Sequence, residues 1–417
     1  MNRFEKSIKE HSKYRGKLMT LPKVPIRGRE DLSIRYTPGV AGASRAIHED
    51  PEKAYELTRK RNLVAIISDS SRVLGLGDIG PLAALPVMEG KALLLKYFGG
   101  VDAVPIVIDK HSVDEIVDLV KALSPSFGGI NLEDIKTPTC FYVLERLQKE
   151  LDIPIWHDDE QGTAVVVLAA LKASLELLGK KIEDAKIVLF GLGASNYATY
   201  KLLKRAGADP KKIVAIDSKG VVSERRDLPE YKLRIARETS PEAESIEEAF
   251  EGADIVIAAS KPGPGVIKPE RIERMNEPIV FALANPTPEI MPDEAKRAGA
   301  KIVATGRSDF PNQVNNSLAF PSVFRGTFDS MARKITENMM LAASEALYEY
   351  VASRGIREDY IIPRMTDEGV YELVSARVAE AAVRDGVARR IMSFEEYLEE
   401  ASRIIKRSRE MLEKILL

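Results

Sequence analysis

From about residue 51 to residue 178, short apolar runs alternate with stretches whose apolar positions recur every three or four residues. That alternation predicts strands at 62–68 and 101–108, with helices at 51–60, 86–98 and 112–123. Two further short runs end at Leu132 and at Trp156, and each is followed by a helical pattern, from about 138 and from Gly162-Thr163 through Leu178. The order β-α-β-α-β-α-β implies a parallel sheet. Before it, residues 1–35 are polar and basic, broken by Pro22 and Pro25, and read as a helix and an irregular arm. A second alternating unit begins at Ala185, with strands at 186–190, 212–217, 254–259, 278–283 and 301–304. From Arg325 the pattern becomes helical, with long helices at 327–351 and 367–384 and a capping box at Ser393-Phe394-Glu395-Glu396 opening the last.

A chain of 417 residues exceeds one ordinary core, so the divisions expected are 1–178, 179–325 and 326–417, the last folding back on the first. A net charge of −2 gives no nucleic-acid footprint, and no apolar run is long enough for a membrane span. The start, Met1-Asn2-Arg3-Phe4-Glu5-Lys6, lacks the apolar core of a signal peptide, which points to the cytoplasm. The single cysteine, Cys140, rules out an internal disulfide framework and reads as a packing residue in an apolar helical pattern.

Chemistry concentrates where strands end. Trp156 is followed by His157 and three acids, Asp158, Asp159 and Glu160, and Glu133-Asp134 follows the preceding strand. One acidic pair on its own reads as a helix cap, where negative charge is favoured. Two pairs at successive strand ends exceed what caps need, and could converge on one hard divalent cation, Mg²⁺ or Mn²⁺, which prefers oxygen ligands.

The spacing G-x-G-x-x-G occurs at Gly75, Gly77 and Gly80, but Asp69-Ser70-Ser71-Arg72 separates it from the strand before it. The acid closing the next strand, Asp109, is also too distant for a dinucleotide turn. The better match is Gly191-Leu192-Gly193-Ala194-Ser195-Asn196, directly after the strand at 186–190, with Asp217 closing the following strand. Gly191, Gly193, Ser195, Asn196 and Asp217 are therefore the expected NAD or NADP contacts, in a Rossmann-type doubly wound domain. Asp217 favours a ribose hydroxyl and thus NAD, whereas Arg225 and Arg226 behind it suit a 2′-phosphate; both readings stay open. The fold class expected is α/β, an N-terminal parallel α/β domain followed by this one, with C-terminal helices.

Several ordered segments together resemble the malic enzyme family in its short prokaryotic form. They are Tyr36-Thr37-Pro38-Gly39-Val40-Ala41, Arg72 through Gly80, Glu89-Gly90-Lys91-Ala92, Asn131-Leu132-Glu133-Asp134, His157-Asp158-Asp159-Glu160-Gln161-Gly162-Thr163, Asn285-Pro286-Thr287 and Asn315-Asn316. The likeness runs from about residue 15 to 385. It implies oxidative decarboxylation of (S)-malate to pyruvate and CO₂ with NAD(P)⁺ and Mg²⁺ or Mn²⁺, in a homodimer. It also implies that Glu133, Asp134 and Asp159 hold the metal, Lys91 takes the C2 hydroxyl proton and Tyr36 protonates C3. Arg72, Asn285 and Asn316 match positions that hold substrate carboxylates or the nicotinamide side, and Asp158 matches a supporting carboxylate also considered as base. His157 is not used in the family pattern and reads as a supporting or structural residue.

Elementary chemistry agrees. Hydride loss from C2 needs a base, and burial in the apolar stretch after Lys91 would favour the neutral amine. Two rival readings are a metal-independent amino-acid dehydrogenase of similar layout and a nucleotide-binding sensor without turnover; the acid pairs argue against the first, and Lys91 and Tyr36 against the second.

Overall fold

The computed structural model describes residues 3–73, 76–239 and 241–416, with ten strands in two sheets among them. The first sheet contains β1 (Leu63–Ser68), β2 (Asp102–Val107), β3 (Gly129–Leu132) and β4 (Ile155–His157), in the order β2-β1-β3-β4, all parallel. Every residue of β1 is buried, as its unbroken apolar run requires of a strand covered on both faces.

The second sheet contains β5 (Ile187–Phe190), β6 (Ile213–Asp217), β7 (Gly220–Val221), β8 (Ile255–Ala258), β9 (Ile279–Ala282) and β10 (Ile302–Thr305), ordered β10-β9-β8-β5-β6-β7. Only β7 runs antiparallel, as a two-residue hairpin arm on β6 too short to leave a pattern in the sequence. In each sheet the chain reverses its direction of travel beside the first strand, between β1 and β3 and between β5 and β8. Such switch points open a crevice at the strand C-termini, where α/β proteins bind ligands.

The helices that frame these sheets are α1 (Arg3–Tyr14), α2 (Arg29–Arg35), α3 (Val40–Glu49), α4 (Pro81–Gly99), α5 (Val113–Leu123), α6 (Thr139–Glu150), α7 (Thr163–Leu177), α8 (Ala194–Arg205), α9 (Glu230–Thr239), α10 (Phe320–Asp329), α11 (Glu337–Ala352), α12 (Val370–Arg384) and α13 (Phe394–Leu416). Helix α7 bridges the two sheets and is nearly wholly apolar and buried, so the two cores merge around it. Two of the last four helices reach back to the first unit: Arg325 of α10 donates to Asn62 Oδ1 at 2.7 Å, and Ser408 of α13 donates to the Lys96 carbonyl at 2.9 Å.

Some expected elements differ. The helix expected at 86–98 starts at Pro81, which takes the first helical position and leaves Pro86 inside. The helix expected at 51–60 is two 3-10 turns around a four-residue helix, Ala54–Leu57. The single helix expected at 327–351 is broken. Helix α10 stops at Asp329, Met331 adopts a positive φ of 49°, and Thr336 caps α11 by accepting from the Met339 amide. The apolar period ran on across the break because Ala332 and Ile335 in the link are themselves buried.

Candidate active site

The carboxylates meet at the switch point of the first sheet. The Glu133 amide extends the ladder by donating to Ile67 O, and Asp134 follows in a left-handed conformation, φ 55°. From the neighbouring strand, β4 runs straight into a π-helical turn, Asp158–Gly162, before α7 begins. A π turn is uncommon and clusters at functional sites. It brings Asp159 against the other pair, with Oδ2 accepting the Asp134 amide at 3.0 Å. Ligand atoms of Glu133, Asp134 and Asp159 all lie within 4.8 Å of one another.

Burial pushes the Glu133 carboxyl well above its usual range and the Asp134 carboxyl to about 8, with Asp159 adding to the latter shift. Asp134 Oδ2 is buried without a hydrogen-bond partner. Three crowded acids with an unsatisfied oxygen fit a hard divalent cation, which favours oxygen ligands and relieves their repulsion.

Lys91, on α4, enters this cluster from above. Its Nζ lies 2.9 Å from Glu133 Oε1 and 3.5 Å from Asn316 Oδ1, makes a short contact with Asp158 Oδ2, and sits 4.8 Å over the Phe320 ring. Burial acts in the expected direction, lowering its pKa, but the carboxylates of Asp158, Glu133 and Asp159 outweigh it and the net shift is upward. The expectation of a lysine kept neutral by apolar surroundings is therefore corrected: its neighbours in space are acids contributed by β3 and β4. Asp158 is held in turn by the Trp156 indole, which donates to Oδ1 at 3.1 Å. Gly162 is required here because a Cβ would collide with Asp158 Oδ1 and press on Asn316. The Phe320 ring went unrecognised in the sequence, which shows no link between α4 and α10; Trp156 was placed beside the acids, but not its bond to Asp158.

The dinucleotide turn lies at the other switch point. Gly191 has φ 95°, and a Cβ there would sit 2.6 Å from Ala259 O, so β5 and β8 pass too closely for any side chain. Gly193 caps α8 with no side-chain cap, and the Oγ of Ser195 is buried and unpartnered, leaving donors for an anionic group. Asn196 is fully buried. Its amide donates to Phe190 O, Gly191 O and Ile257 O, so the residue that replaces the third glycine ties the turn to β8. Arg72, exposed on the loop after β1, brings a guanidinium nitrogen to 3.9 Å from where a Gly193 Cβ would stand. Arg72, whose own amide donates to Asp134 O at 3.1 Å, thus links the two switch points.

Asp217 ends β6 with both oxygens engaged: Arg226 donates to them at 2.9 and 3.0 Å and Lys232 to Oδ2 at 2.6 Å. Burial would raise its pKa, but these bonds and the Lys219 amide hold it below the ordinary carboxylate value. Arg225 pairs with Glu244 at the surface instead. Lys232 was missed because it sits on α9, 15 residues from Asp217 in sequence but in direct contact in space. Asn285, exposed after β9, precedes a cis peptide to Pro286. Tyr36 is not among the side chains around Lys91; it caps α2 and is 71% exposed. Of the decoy glycines, Gly75 lies outside the described residues, and Gly80 precedes α4 with a φ of 80°.

The chain is similar to known proteins along most of its length. The family model described as malic enzyme, N-terminal domain, matches residues 15–148, and that described as malic enzyme, NAD binding domain, matches residues 160–386. An NAD-dependent malic enzyme of Geobacillus stearothermophilus is 50% identical over 380 residues, 90% of this chain and 78% of that protein. A bifunctional malic/malolactic enzyme of Bacillus subtilis is 46% identical over 405 residues, 96% of this chain and 98% of that protein. Among solved structures, a malic enzyme from Pyrococcus horikoshii superposes with a TM-score of 0.93 at 47% identity, covering 99% of this chain and 98% of its own.

Proposed function

This chain belongs to the malic enzyme family, and from that premise we propose that it oxidatively decarboxylates (S)-malate to pyruvate and CO₂ with NAD(P)⁺. The observation that carries the reading is the meeting of Lys91 with Asp158 and with the Glu133, Asp134 and Asp159 trio, linked through Arg72 to a dinucleotide turn. When bound, a divalent cation held by that trio supplies positive charge for a developing oxyanion at C2, and the nicotinamide accepts the hydride.

The chain's own groups do the rest. Lys91 passes a proton to the touching Asp158 carboxylate and so frees its amine to take the C2 hydroxyl proton. Trp156 and Gly162 fix Asp158 for that exchange. Arg72, Asn285 and Asn316 border the cleft as the groups that orient the substrate carboxylates and the nicotinamide side. Gly191, Gly193 and Ser195 receive the pyrophosphate at the start of α8, with Asn196 holding the turn, and Asp217 faces the adenosine ribose.

Tyr36 supplies the proton at C3, and it does so in the cleft of a second subunit. The reason is local. Helices α1, α2 and α3 bury no residue in their own chain, and Met19, Ile26, Ile34 and Tyr36 stand exposed along that arm. An apolar arm of this kind is stable only against a partner surface, here a second copy in a homodimer. The same reading keeps the division between 1–178 and 179–325, which separates the two sheets, while the boundary expected at 325 falls inside α10 (Phe320–Asp329), so the terminal helices start at Phe320.

The test is incubation with malate and Mn²⁺, with NAD⁺ or NADP⁺ separately, following reduced cofactor and pyruvate. Equal amounts of both products, abolished by EDTA, are expected. EDTA-insensitive oxidation of an amino acid, with malate untouched, would return the function to the amino-acid dehydrogenase reading.

A further inference from the structure

Behind the carboxylate trio is a second cluster of different chemistry. Cys140 of α6, His157 at the end of β4 and Glu160 of the π turn are all buried, and each offers a ligand atom within 4.8 Å of the others. His157 is fully buried, yet neither ring nitrogen has a hydrogen-bond partner, and Glu160 Oε1 has none either. The two residues are close, with Nδ1 3.2 Å from Oε1, but they are not aligned to bond each other. Buried polar atoms left unpaired cost about 1–3 kcal/mol each, so the lone-pair nitrogen of the imidazole and the Glu160 oxygen, converging unpaired beside the Cys140 thiol, imply a missing positive partner.

We propose that Cys140, His157 and Glu160 form a binding site for a borderline-soft divalent cation of the zinc class, separate from the hard-cation trio. Thiolate, imidazole and carboxylate are the donor types such a cation takes, and a thiolate selects against Mg²⁺. Tetrahedral coordination at about 2.0–2.3 Å places ligand atoms roughly 3.3–3.8 Å apart, so a contraction of about 1 Å closes this set. On binding, the thiol proton leaves to solvent and the S–metal bond forms.

The cluster borders a cavity on its Glu160 side. A cavity of about 370 Å³ opens between α6 and α8, lined by Phe141, Tyr197, Lys201 and Arg234 among others, and Glu160 forms part of its wall. The other face of the imidazole points at the first site, with Nε2 3.9 Å from Asp159 Oδ2, so one ring joins the two.

Cobalt tests this directly, because a thiolate bound to Co²⁺ absorbs in the near ultraviolet and the chain has a single cysteine. The full-length protein is kept in excess Mg²⁺ to fill the carboxylate trio and then titrated with Co²⁺. Expected is a band that saturates at one equivalent and is displaced by Zn²⁺. Cys140→Ser should remove it, while Glu160→Gln and His157→Asn should each weaken Co²⁺ binding roughly tenfold or more. No thiolate–cobalt band at saturating Co²⁺ overturns the site. So does a band that Glu160→Gln and His157→Asn leave at unchanged affinity, since the thiol would then bind alone. If Cys140→Ser fails to fold, those two variants still decide the matter.

Discussion

Lys91 shows how far a residue's chemistry depends on its surroundings. Its apolar neighbours in sequence suggest a neutral amine, yet the acids that meet it in space hold its pKa above the ordinary value. The same crowding sets a pH dependence. Asp134 has a folded pKa of about 8, raised by burial, against an ordinary carboxylate value near 4 when unfolded. The folded state keeps a proton that the unfolded state has lost, so stability should fall as pH rises from about 4 through about 8. Melting in EDTA should therefore move to lower temperature between pH 5 and pH 8.5, and Asp134→Asn should flatten the slope. Mn²⁺ should restore most at the alkaline end, where the ligands are charged. An identical slope in wild type and Asp134→Asn would remove Asp134 from this account. Trp156 offers a second readout at this scale. It is fully buried and bonded to Asp158, so paramagnetic Mn²⁺ should quench its fluorescence and Asp159→Ala should abolish the response. Unchanged emission in an active, Mn²⁺-saturated sample would count against the placement of the cation.

Among the elements, β6 and α10 each carry a buried charge whose partner decides its effect. Asp217 at the end of β6 holds both Arg226 and Lys232. Asp217→Ser removes the carboxylate that repels a 2′-phosphate and releases two cations beside it, so preference should move toward NADP⁺. An unchanged ratio of kcat/KM for the two cofactors would show that Asp217 does not face the ribose. In α10, Arg325 pairs with Asp329 one turn on, both buried, and reaches Asn62 before β1. Burial raises the Asp329 pKa and Arg325 opposes that shift. Arg325→Met leaves the acid unpaired and should cost about 3–5 kcal/mol of stability, with most recovered in Arg325→Met/Asp329→Leu. Equal loss in the single and double variants would mean that the arginine acts by packing alone.

At the scale of the whole molecule, the exposed arm and the buried cleft predict a division of labour between subunits. Lys91→Ala should abolish reduction of oxaloacetate, since the alkoxide at C2 lacks a proton donor. Tyr36→Phe should keep much of that reduction but lose exchange of pyruvate methyl protons in D₂O, each loss on the order of 10²–10⁴-fold. Mixing the two variants should regain activity through sites that pair one subunit's Tyr36 with the other's Lys91. No regain, with mixed dimers verified, would favour a site built within one chain. The sequence by itself determined the alternation of strands and helices, the parallel strands of both sheets apart from the antiparallel β7, and the acids at the strand ends. Those features rest on local periodicity and on turn chemistry that neighbouring residues dictate. Only the tertiary structure decided what meets what: Lys232 at Asp217, Phe320 and Trp156 around the Lys91 site, and Cys140 behind His157. It also decided the break at Met331 and the sign of the Lys91 shift. Such contacts join residues far apart along the chain or on different elements, and no periodicity within one segment records the neighbours that packing will bring to it.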